Sequence, residues 1–487
     1  MTSKQQNGST ELDNFLPQDN SKATEVTKYK LTNGNDLESA NSGFDPFRAR
    51  QLEHPVSDFG TLTHLLKASL GTGILSMPAA FYASGLGLGI VATIVVSIIC
   101  THCAYILVVC AHELYKKAKK THMSFPEVAE EACLRGPEWA REYAGVARTV
   151  VISSLFLAYF MTCSCYAVIV ARHFDYVIDY YIGYELEIRI TIAVAMVPLA
   201  MLACVPNLKY LAPFSTVANG CMAVALGITM YYLVADIPPI SERRQVADIS
   251  TFPTFISITI FAIEAIGVVM PLENNMGKPQ HFIGLCGVLN QGMSGVTLVY
   301  IIVGFFGYLK YGSAIEGSVT LNLPIEDYAT QAVNVLVGIA AFCTFGLQFT
   351  VCTDLTWGAL KKRYEHKGPW AMYVVRIISV VLCVSLAVAL PMIVPFVSLI
   401  GAFCFSFLGL VLPVIVEMLT FWEKGFGRFH WKIFKNIIVF ITAMLALVFG
   451  SKSAIEDIVK LYTTESTVQL NSTLLLNSTL SLNSTVG

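Results

Sequence analysis

The chain has 487 residues, of which 55% are hydrophobic and 14% are charged, and its formal net charge is −2. Water-soluble chains carry about a quarter of charged residues, and nucleic-acid-binding proteins carry an excess of positive charge, so this composition excludes both classes. Many uninterrupted apolar runs reach the length of about 18 residues that crosses a bilayer. We therefore predict an all-α integral membrane protein.

The N-terminal segment is polar. Residues 1–55 are rich in Asn, Ser, Thr, Gln, Asp and Lys and show no apolar period, which predicts a disordered tail. They lack the pattern of a cleavable signal peptide. The first apolar span would then act as the insertion signal and leave this tail in the cytoplasm.

The apolar runs predict about eleven transmembrane helices in a membrane domain at residues 56–451, followed by a C-terminal tail at residues 452–487. The predicted spans cover residues 62–83, 86–111, 147–171, 190–206, 212–234, 252–272, 284–308, 329–357, 371–391, 394–420 and 433–450.

Two features support one orientation in the membrane. With the N-terminus inside, the cytoplasmic loops hold 18 Lys and Arg residues, against 7 in the outer loops and the C-terminal tail, in agreement with the positive-inside rule. Three N-glycosylation sequons begin at Asn471, Asn477 and Asn483, and sequons are modified only in secreted or lumenal segments. Unless they are a coincidence of a Ser- and Thr-rich tail, they place the C-terminus outside, which requires an odd number of spans.

The first span contains signals for a broken helix. Gly71 and Gly73 flank Thr72 at mid-span, and Pro78 follows; glycine weakens a helix and proline removes a backbone donor. A break here would free N–H groups at the start of the second half-helix, where the helix dipole favours a carboxylate. The alternative is that the glycines only permit close helix packing.

The sixth span contains an ionisable residue. Glu264 lies deep in an otherwise apolar run, with Gly267 about one turn later. A carboxyl group at membrane depth is costly unless it is protonated, paired or facing a protein-enclosed site. Glu264 therefore marks either a functional site or a structural acid that is hydrogen-bonded to a neighbouring helix.

The two defects lie in spans one and six. An offset of five spans inverts the orientation, which is typical of a five-plus-five inverted repeat whose broken helices meet at the midplane and bind substrate there. The pattern predicts a secondary transporter. No metal-ligand or nucleophile constellation on the loops points to an enzyme, and no cofactor is expected.

Three residues are candidates for proton coupling. His64 and Lys67 lie one turn apart near the cytoplasmic end of span one, and His102 lies within span two. Histidine titrates in the physiological range. The alternatives are that each histidine is a hydrogen-bonded packing residue, and that Lys67 either replaces a sodium ion or extends to the cytoplasmic face.

At these residues the chain resembles the proton-coupled amino acid transporter family of the amino acid/auxin permease group, over roughly residues 55–450. The motifs that carry the resemblance are Thr61–Lys67 with Gly71-Thr72-Gly73 and Pro78; His102-Cys103 with Cys110-Ala111-His112; Glu264 with Pro271–Asn274; and Leu321–Pro324. The resemblance implies a leucine-transporter-like fold with discontinuous helices 1 and 6, and symport of protons with small neutral amino acids such as glycine, alanine and proline.

The resemblance also implies residue roles. The family's proton-coupling histidine falls on His64. Backbone groups of the first break would bind the substrate carboxylate, and carbonyl groups of the sixth span would bind its ammonium. The expected substrate-binding residues are Ser69, Gly71, Thr72, Gly73, Phe261, Glu264 and Gly267.

The chain departs from the family pattern in three places. Ala68-Ser69 stands where the family commonly has Gly-Asn, and Ala265 interrupts the usual Glu-Gly-Ile-Gly, which leaves the substrate size range open. The loops after spans three and seven contain no cysteine for the extracellular disulfide of well-known members.

Two other functions fit the same residues. The first is a sodium-coupled amino acid carrier of the same fold. The second is an amino-acid-sensing transporter that binds nutrient-signalling proteins through its N-terminal tail. The expected location is the plasma membrane or the lysosomal or late endosomal membrane.

Overall fold

The computed structural model describes residues 44–50, 52, 55–205, 208–364, 369–426, 430–460 and 462–463. Most of residues 1–55 and the predicted glycosylation sites Asn471, Asn477 and Asn483 lie outside the described residues. Within the described part, the regular structure is helical apart from one isolated β-bridge between Val56 and Met276.

The bounds of the helices follow the predicted spans. The α-helices in chain order are α1 (Pro46–Ala49), α2 (Asp58–Ser69), α3 (Met77–Ser84), α4 (Leu86–Ala118), α5 (Phe125–Leu134), α6 (Glu138–Arg141), α7 (Ala144–Ile182), α8 (Ile188–Ala203), α9 (Leu208–Val234), α10 (Phe252–Ile263), α11 (Ile266–Asn274), α12 (Val288–Tyr311), α13 (Tyr328–Tyr364), α14 (Pro369–Ala389), α15 (Ile393–Leu399), α16 (Leu412–Thr420) and α17 (Trp431–Leu445). Two π-helical segments, Ile400–Val411 and Ala446–Gly450, continue α15 and α17.

Among the described residues, 9 helical stretches are long and apolar enough to cross a membrane. Helix α8 is apolar but shorter, and the first predicted span is divided between α2 and α3. The all-helical architecture and the positions of the spans are as predicted from the sequence, whereas the number of crossings stays a prediction.

The loops collect at two faces. We call the face formed by residues 44–50, 52, 55–57, 119–143, 275–287 and 421–426 the near face, and the face formed by residues 183–187, 235–251, 312–327 and 390–392 the far face. At the near face the Val56 N–H donates to the Asn275 carbonyl at 2.9 Å. At the far face the Arg243 Nε donates to the Leu309 carbonyl at 2.9 Å.

The first predicted break is present. Helix α2 begins after the N-cap Ser57, whose hydroxyl accepts the Gly60 N–H, and ends at Ser69; Ser is a preferred N-cap residue. Gly71 is extended, with φ −85° and ψ −164°, and a 3-10 segment, Thr72–Ser76, follows. Proline then occupies the first turn of α3, where its missing N–H costs little.

The second predicted break is also present. Helix α10 ends at Ile263, Glu264 is extended with ψ 121°, and α11 begins at Ile266. The two breaks face each other, because a Cβ atom added at Gly73 would lie 2.9 Å from the Ala262 Cα. The glycine therefore permits close packing at a helix interruption, so packing is not its only role, and the carboxylate-binding role of this break stays a prediction.

The π-helical segment Ile400–Val411 was not expected from the sequence. Two of its glycines lie against span six: a Cβ at Gly401 would overlap the Ser257 carbonyl oxygen, and a Cβ at Gly409 would overlap the Glu264 carboxyl group. Wide π turns often occur at functional sites. This segment forms one wall behind the second break.

The tail prediction included residues that are ordered. Residues 46–49 form the helix α1, which is capped by the Asp45 carboxylate on the Phe47 N–H at 3.0 Å. The Arg50 side chain is 3% exposed. Composition alone does not reveal this attachment, because it depends on polar partners that are distant in the sequence.

Candidate functional site

Two adjoining cavities lie at the helix breaks. A cavity of about 100 Å³, the inner cavity, is lined by both breaks and reaches Phe405 and Leu408 of the π-helical segment. A cavity of about 280 Å³, the outer cavity, extends from Gly71 to Val56 and Asn275 at the near face. Both cavities share Thr72, Tyr166 and Gln348 among their lining residues.

The inner cavity brings together all of the substrate-binding residues that the sequence predicts. They are Ser69, Gly71, Thr72, Gly73, Phe261, Glu264 and Gly267. Ser69 is 5% exposed and its Oγ has no hydrogen-bond partner among the described residues. A buried hydroxyl without a partner is costly, so its position in a cavity wall suits a polar ligand.

The predicted proton-coupling residues are divided between two places. His64 and Lys67 line the outer cavity. His102 instead lines a third cavity between α4 and α12, of about 820 Å³, together with Tyr105 and Thr297. The fold therefore brings His64 and Lys67 next to the helix breaks and does not bring His102 there.

The backbone at the breaks supplies polar groups of both signs. The first N–H groups of a helical segment have no partner within it, and the segment that begins at Thr72 lines the inner cavity with its first residues, Thr72 and Gly73. The carbonyl groups at the end of α10 form the opposite, negative end of a helix dipole. The site can therefore receive one negative and one positive group of the same small molecule.

Tyr300 of α12 connects the two breaks and was missed in the sequence. Its hydroxyl group lies within hydrogen-bond distance of the carbonyl oxygens of Ser69 and of Ala262, the latter at 2.8 Å, and its single proton is shared between them. The Tyr300 side chain is fully buried. A buried tyrosine hydroxyl usually has a hydrogen-bond partner. The presence of a tyrosine inside an apolar span could therefore have identified Tyr300 as a candidate site residue.

Two further cavity residues were also missed. The Gln348 Nε2 of α13 donates to the Tyr166 hydroxyl of α7 at 3.4 Å. An amide and a phenol at membrane depth are polar exceptions of the same kind as Glu264. They complete the wall between the two cavities.

A sequence-family comparison decides the class of protein. The model of a family described as "Transmembrane amino acid transporter protein" matches residues 54–456. The chain belongs to this family.

Relatives support the same membership. This amino acid transporter is 53% identical over 460 residues to "Proton-coupled amino acid transporter-like protein pathetic" of Drosophila melanogaster, with 94% of this chain and 97% of that protein covered. It is 23% identical over 454 residues to "Probable amino acid transporter skat-1" of Caenorhabditis elegans, with 88% and 96% covered.

A solved structure supports the fold. The nucleobase-cation-symport-1 family transporter Mhp1, in a closed conformation with bromovinylhydantoin bound, matches with a TM-score of 0.50 at 13% identity, covering 83% of this chain and 92% of that chain. Together with the broken helices, this likeness confirms the leucine-transporter-like fold that the sequence predicts.

A buried polar cluster lies where α11 of the transporter reaches the near face. The Glu273 carboxylate is 0% exposed and accepts from Arg50 Nη2 at 3.2 Å and from the Tyr115 hydroxyl at 2.9 Å. The His112 Nε2 lies 3.0 Å from the same carboxylate. The Arg50 Nε also donates to the Thr121 carbonyl at 2.9 Å. The cluster attaches the N-terminal segment to α4 and α11.

Gly73→Ala tests the close approach of the two breaks. The added Cβ would meet the Ala262 Cα at 2.9 Å and its Cβ at 3.2 Å, so the backbone must shift at a cost of about 1–3 kcal/mol. We expect a lower thermal-denaturation midpoint of the purified protein and reduced amino acid uptake.

Gly71→Ala is the matched stability control. Its Cβ would have no neighbour closer than the Tyr166 hydroxyl at 4.0 Å, and its backbone is in a region open to any residue. Equal loss of thermal stability in the two variants would contradict the packing role of Gly73.

Proposed function

We propose that this transporter carries small neutral amino acids together with protons by alternating access. The observation that carries the proposal is the inner cavity, in which the predicted substrate-binding residues of both breaks line a volume of about 100 Å³. This space suits a compact zwitterion. The name of the Drosophila relative, a proton-coupled amino acid transporter-like protein, agrees with it.

The substrate would bind by its two charged groups. Its carboxylate would accept hydrogen bonds from the N–H groups at Thr72 and Gly73 and from the unpartnered Ser69 hydroxyl. Its ammonium would donate to carbonyl groups between Phe261 and Glu264. The side chain would point toward Ala265, whose methyl group narrows the inner cavity, so glycine, alanine and proline are the expected substrates.

The near face would be cytoplasmic in this proposal. The outer cavity extends from the breaks toward that face, whereas the far face is packed, with Ser76 Oγ donating to the Gly317 carbonyl at 2.8 Å. This arrangement suits the release side of the cycle. The positive-inside bias supports this orientation, and the protein would work in the plasma membrane or the lysosomal membrane.

His64→Ala tests the proton-coupling role proposed for His64. Because His64 lines the outer cavity beside Lys67, we expect the variant to reach the membrane and to lose acid-stimulated accumulation of radiolabelled alanine, glycine and proline. The measurement is uptake at acidic and neutral pH in vesicles with an imposed proton gradient.

His281→Ala is the matched control, because His281 lies on the near face outside both cavities and contacts Asp58 at 2.7 Å. Acid-stimulated accumulation by His64→Ala at the level of the control would show that His64 does not couple protons. Replacement of sodium by an inert cation in the same assay distinguishes the alternative of sodium coupling, which predicts that uptake stops.

The sensing alternative depends on the N-terminal tail, which lies mainly outside the described residues. It predicts that truncation of residues 1–43 removes a signalling response and leaves uptake intact. The truncation ends before Arg50, so the buried cluster with Glu273 is kept.

A further inference from the structure

The Glu264 carboxyl group has two oxygens in very different surroundings. Its Oε1 accepts the Ile266 N–H at 2.8 Å, at the first residue of α11. Its Oε2 is shielded from solvent and has no hydrogen-bond partner among the described residues. Glu264 is one of the residues that line the inner cavity. One oxygen therefore caps a half-helix, while the other is packed against Gly409 with the Cys100 thiol beside the carboxyl group.

The surroundings of Oε2 are formed by the π-helical segment. The π-helical segment places Gly409 against this oxygen, where any Cβ would overlap it. The same segment presents Phe405 and Leu408 to the inner cavity, and neither side chain titrates.

The titratable groups near Glu264 come from two other helices. Helix α4 presents the buried thiols of Cys100 and Cys103, and α7 presents the Tyr159 and Tyr166 hydroxyl groups. In the described part of the chain, no Lys, Arg or His forms an ion pair with Glu264.

We infer that Glu264 is the residue that holds the coupled proton, with Oε2 as the site of protonation. This inference rests on the proposed proton symport and names the carrier within it. The proton binds from the solution on one side, leaves the carboxyl group neutral, and is released to the solution on the other side. No other bond forms or breaks.

Two opposing forces make this group a switch. Burial without a cation favours the neutral carboxylic acid. The Ile266 N–H and the positive end of the α11 dipole favour the carboxylate. Small changes in water access or in the position of α11 therefore change which form is stable.

The position of Glu264 also explains how protonation can move a helix. Helix α11 has 9 residues, with Glu264 just before its start and Glu273 close to its end. A neutral carboxylic acid is a weaker acceptor for the Ile266 N–H than a carboxylate. Protonation thus loosens the start of α11, while the bonds of Glu273 to Arg50 and Tyr115 hold its other end.

His64 has a different task in this scheme. It lines the outer cavity between the near face and the breaks, where a histidine can pass protons between solution and site. Removal of His64 leaves the Glu264 carboxyl group in the inner cavity, whereas Glu264→Gln removes that carboxyl group and leaves only the tyrosine hydroxyl groups there.

The experiment uses the full-length protein in proteoliposomes with radiolabelled alanine. Proton-gradient-driven accumulation, exchange without a gradient at several pH values, and alanine-dependent proton uptake are measured for the wild type, Glu264→Gln and His64→Ala. Glu113→Gln is the matched control, since Glu113 pairs with Lys424 at the near face, outside both cavities.

We expect Glu264→Gln to lose gradient-driven accumulation and the pH dependence of exchange, and His64→Ala to keep pH-dependent exchange. Accumulation by Glu264→Gln at the wild-type level overturns the inference. A monodisperse Glu264→Gln protein without any exchange also overturns it, because Glu264 would then serve substrate binding alone.

Two further results complete the test. If Glu264→Gln does not fold, Glu264→Asp keeps a titrating group in a shifted position and is expected to move the pH midpoint of accumulation; an unchanged midpoint overturns the inference. If the wild type itself shows no alanine-dependent proton uptake, the proposed proton symport fails. If the wild type and Glu264→Gln both take up protons with alanine, the symport stands and only the role of Glu264 is wrong.

Discussion

Glu273→Gln is expected to lower the free energy of unfolding by about 3–5 kcal/mol, the usual cost of leaving a buried charge without its partner. The Arg50 side chain is 3% exposed and pairs with Glu273 at 3.2 Å, so its guanidinium would lose its only nearby carboxylate among the described ion pairs. The Tyr115 hydroxyl would also lose a charged acceptor at 2.9 Å. The thermal-denaturation midpoint of the detergent-purified protein measures the effect.

Glu131→Gln is the matched control at the same face. Glu131 forms ion pairs with Lys120 and Arg135, which are 43% and 37% exposed. Burial alone would raise the pKa of Glu131, but hydrogen bonds and charges from these two residues hold that pKa below its usual value. Pairs with exposed partners contribute about 0–1 kcal/mol, so this variant should change the midpoint little.

A double variant tests whether Arg50 and Glu273 act as a pair. In Arg50→Gln with Glu273→Gln no buried charge is left alone, so its loss of stability should be smaller than the sum of the single losses. Strictly additive losses would show that the two side chains stabilise the near face independently.

Tyr300→Phe is expected to weaken substrate binding although it removes a single oxygen atom. It removes only the hydroxyl group that serves the carbonyl groups of Ser69 and Ala262. The loss of this one shared donor costs about 1–3 kcal/mol, and both carbonyl groups lie at the negative ends of half-helix dipoles. We expect a lower thermal midpoint and a rise of about tenfold or more in the alanine concentration for half-maximal uptake, since about 1.4 kcal/mol corresponds to tenfold.

Tyr308→Phe is the control for this change. Tyr308 lies in the same helix, is 4% exposed and packs edge-on against the Tyr82 ring. Loss of its hydroxyl should leave the helix breaks undisturbed. If the two variants transport alanine equally well, Tyr300 does not organise the substrate site.

The two predictions concern contacts of the two half-helices of span six, α10 and α11. Tyr300 holds the end of α10 at the break, whereas Glu273 holds the near-face end of α11 to the N-terminal segment. A defect at Tyr300 should mainly weaken substrate binding. A defect at Glu273 should mainly weaken closure of the near face.

Several features could be predicted because their cause is local. The break in span one follows from Gly71, Gly73 and Pro78, which weaken a helix wherever they lie. The break in span six was indicated by Glu264 and Gly267, since an acid at membrane depth needs an enclosed site. The odd offset between the two breaks then predicted the inverted repeat and the convergence of both at one site.

Other features depend on which helices become neighbours. The apolar run around Tyr300 does not indicate that two carbonyl groups lie near its hydroxyl group. The need for glycine at position 409 is likewise evident only from the Glu264 oxygen that lies beside it. His102 was grouped with His64 because both are histidines in apolar spans, but α4 directs it to a different cavity.

The sequence by itself determined the membrane class, the positions of the apolar spans, the two helix breaks and seven of the residues that line the inner cavity, because hydrophobic length and backbone propensity are properties of short segments. Only the tertiary structure decided that Arg50 is buried against Glu273, that Tyr300 joins the breaks and that one oxygen of Glu264 has no hydrogen-bond partner in the described part of the chain. These contacts join residues that are distant along the chain. The strength of each polar contact depends on its burial in a low-dielectric interior, which forms only when several helices pack together.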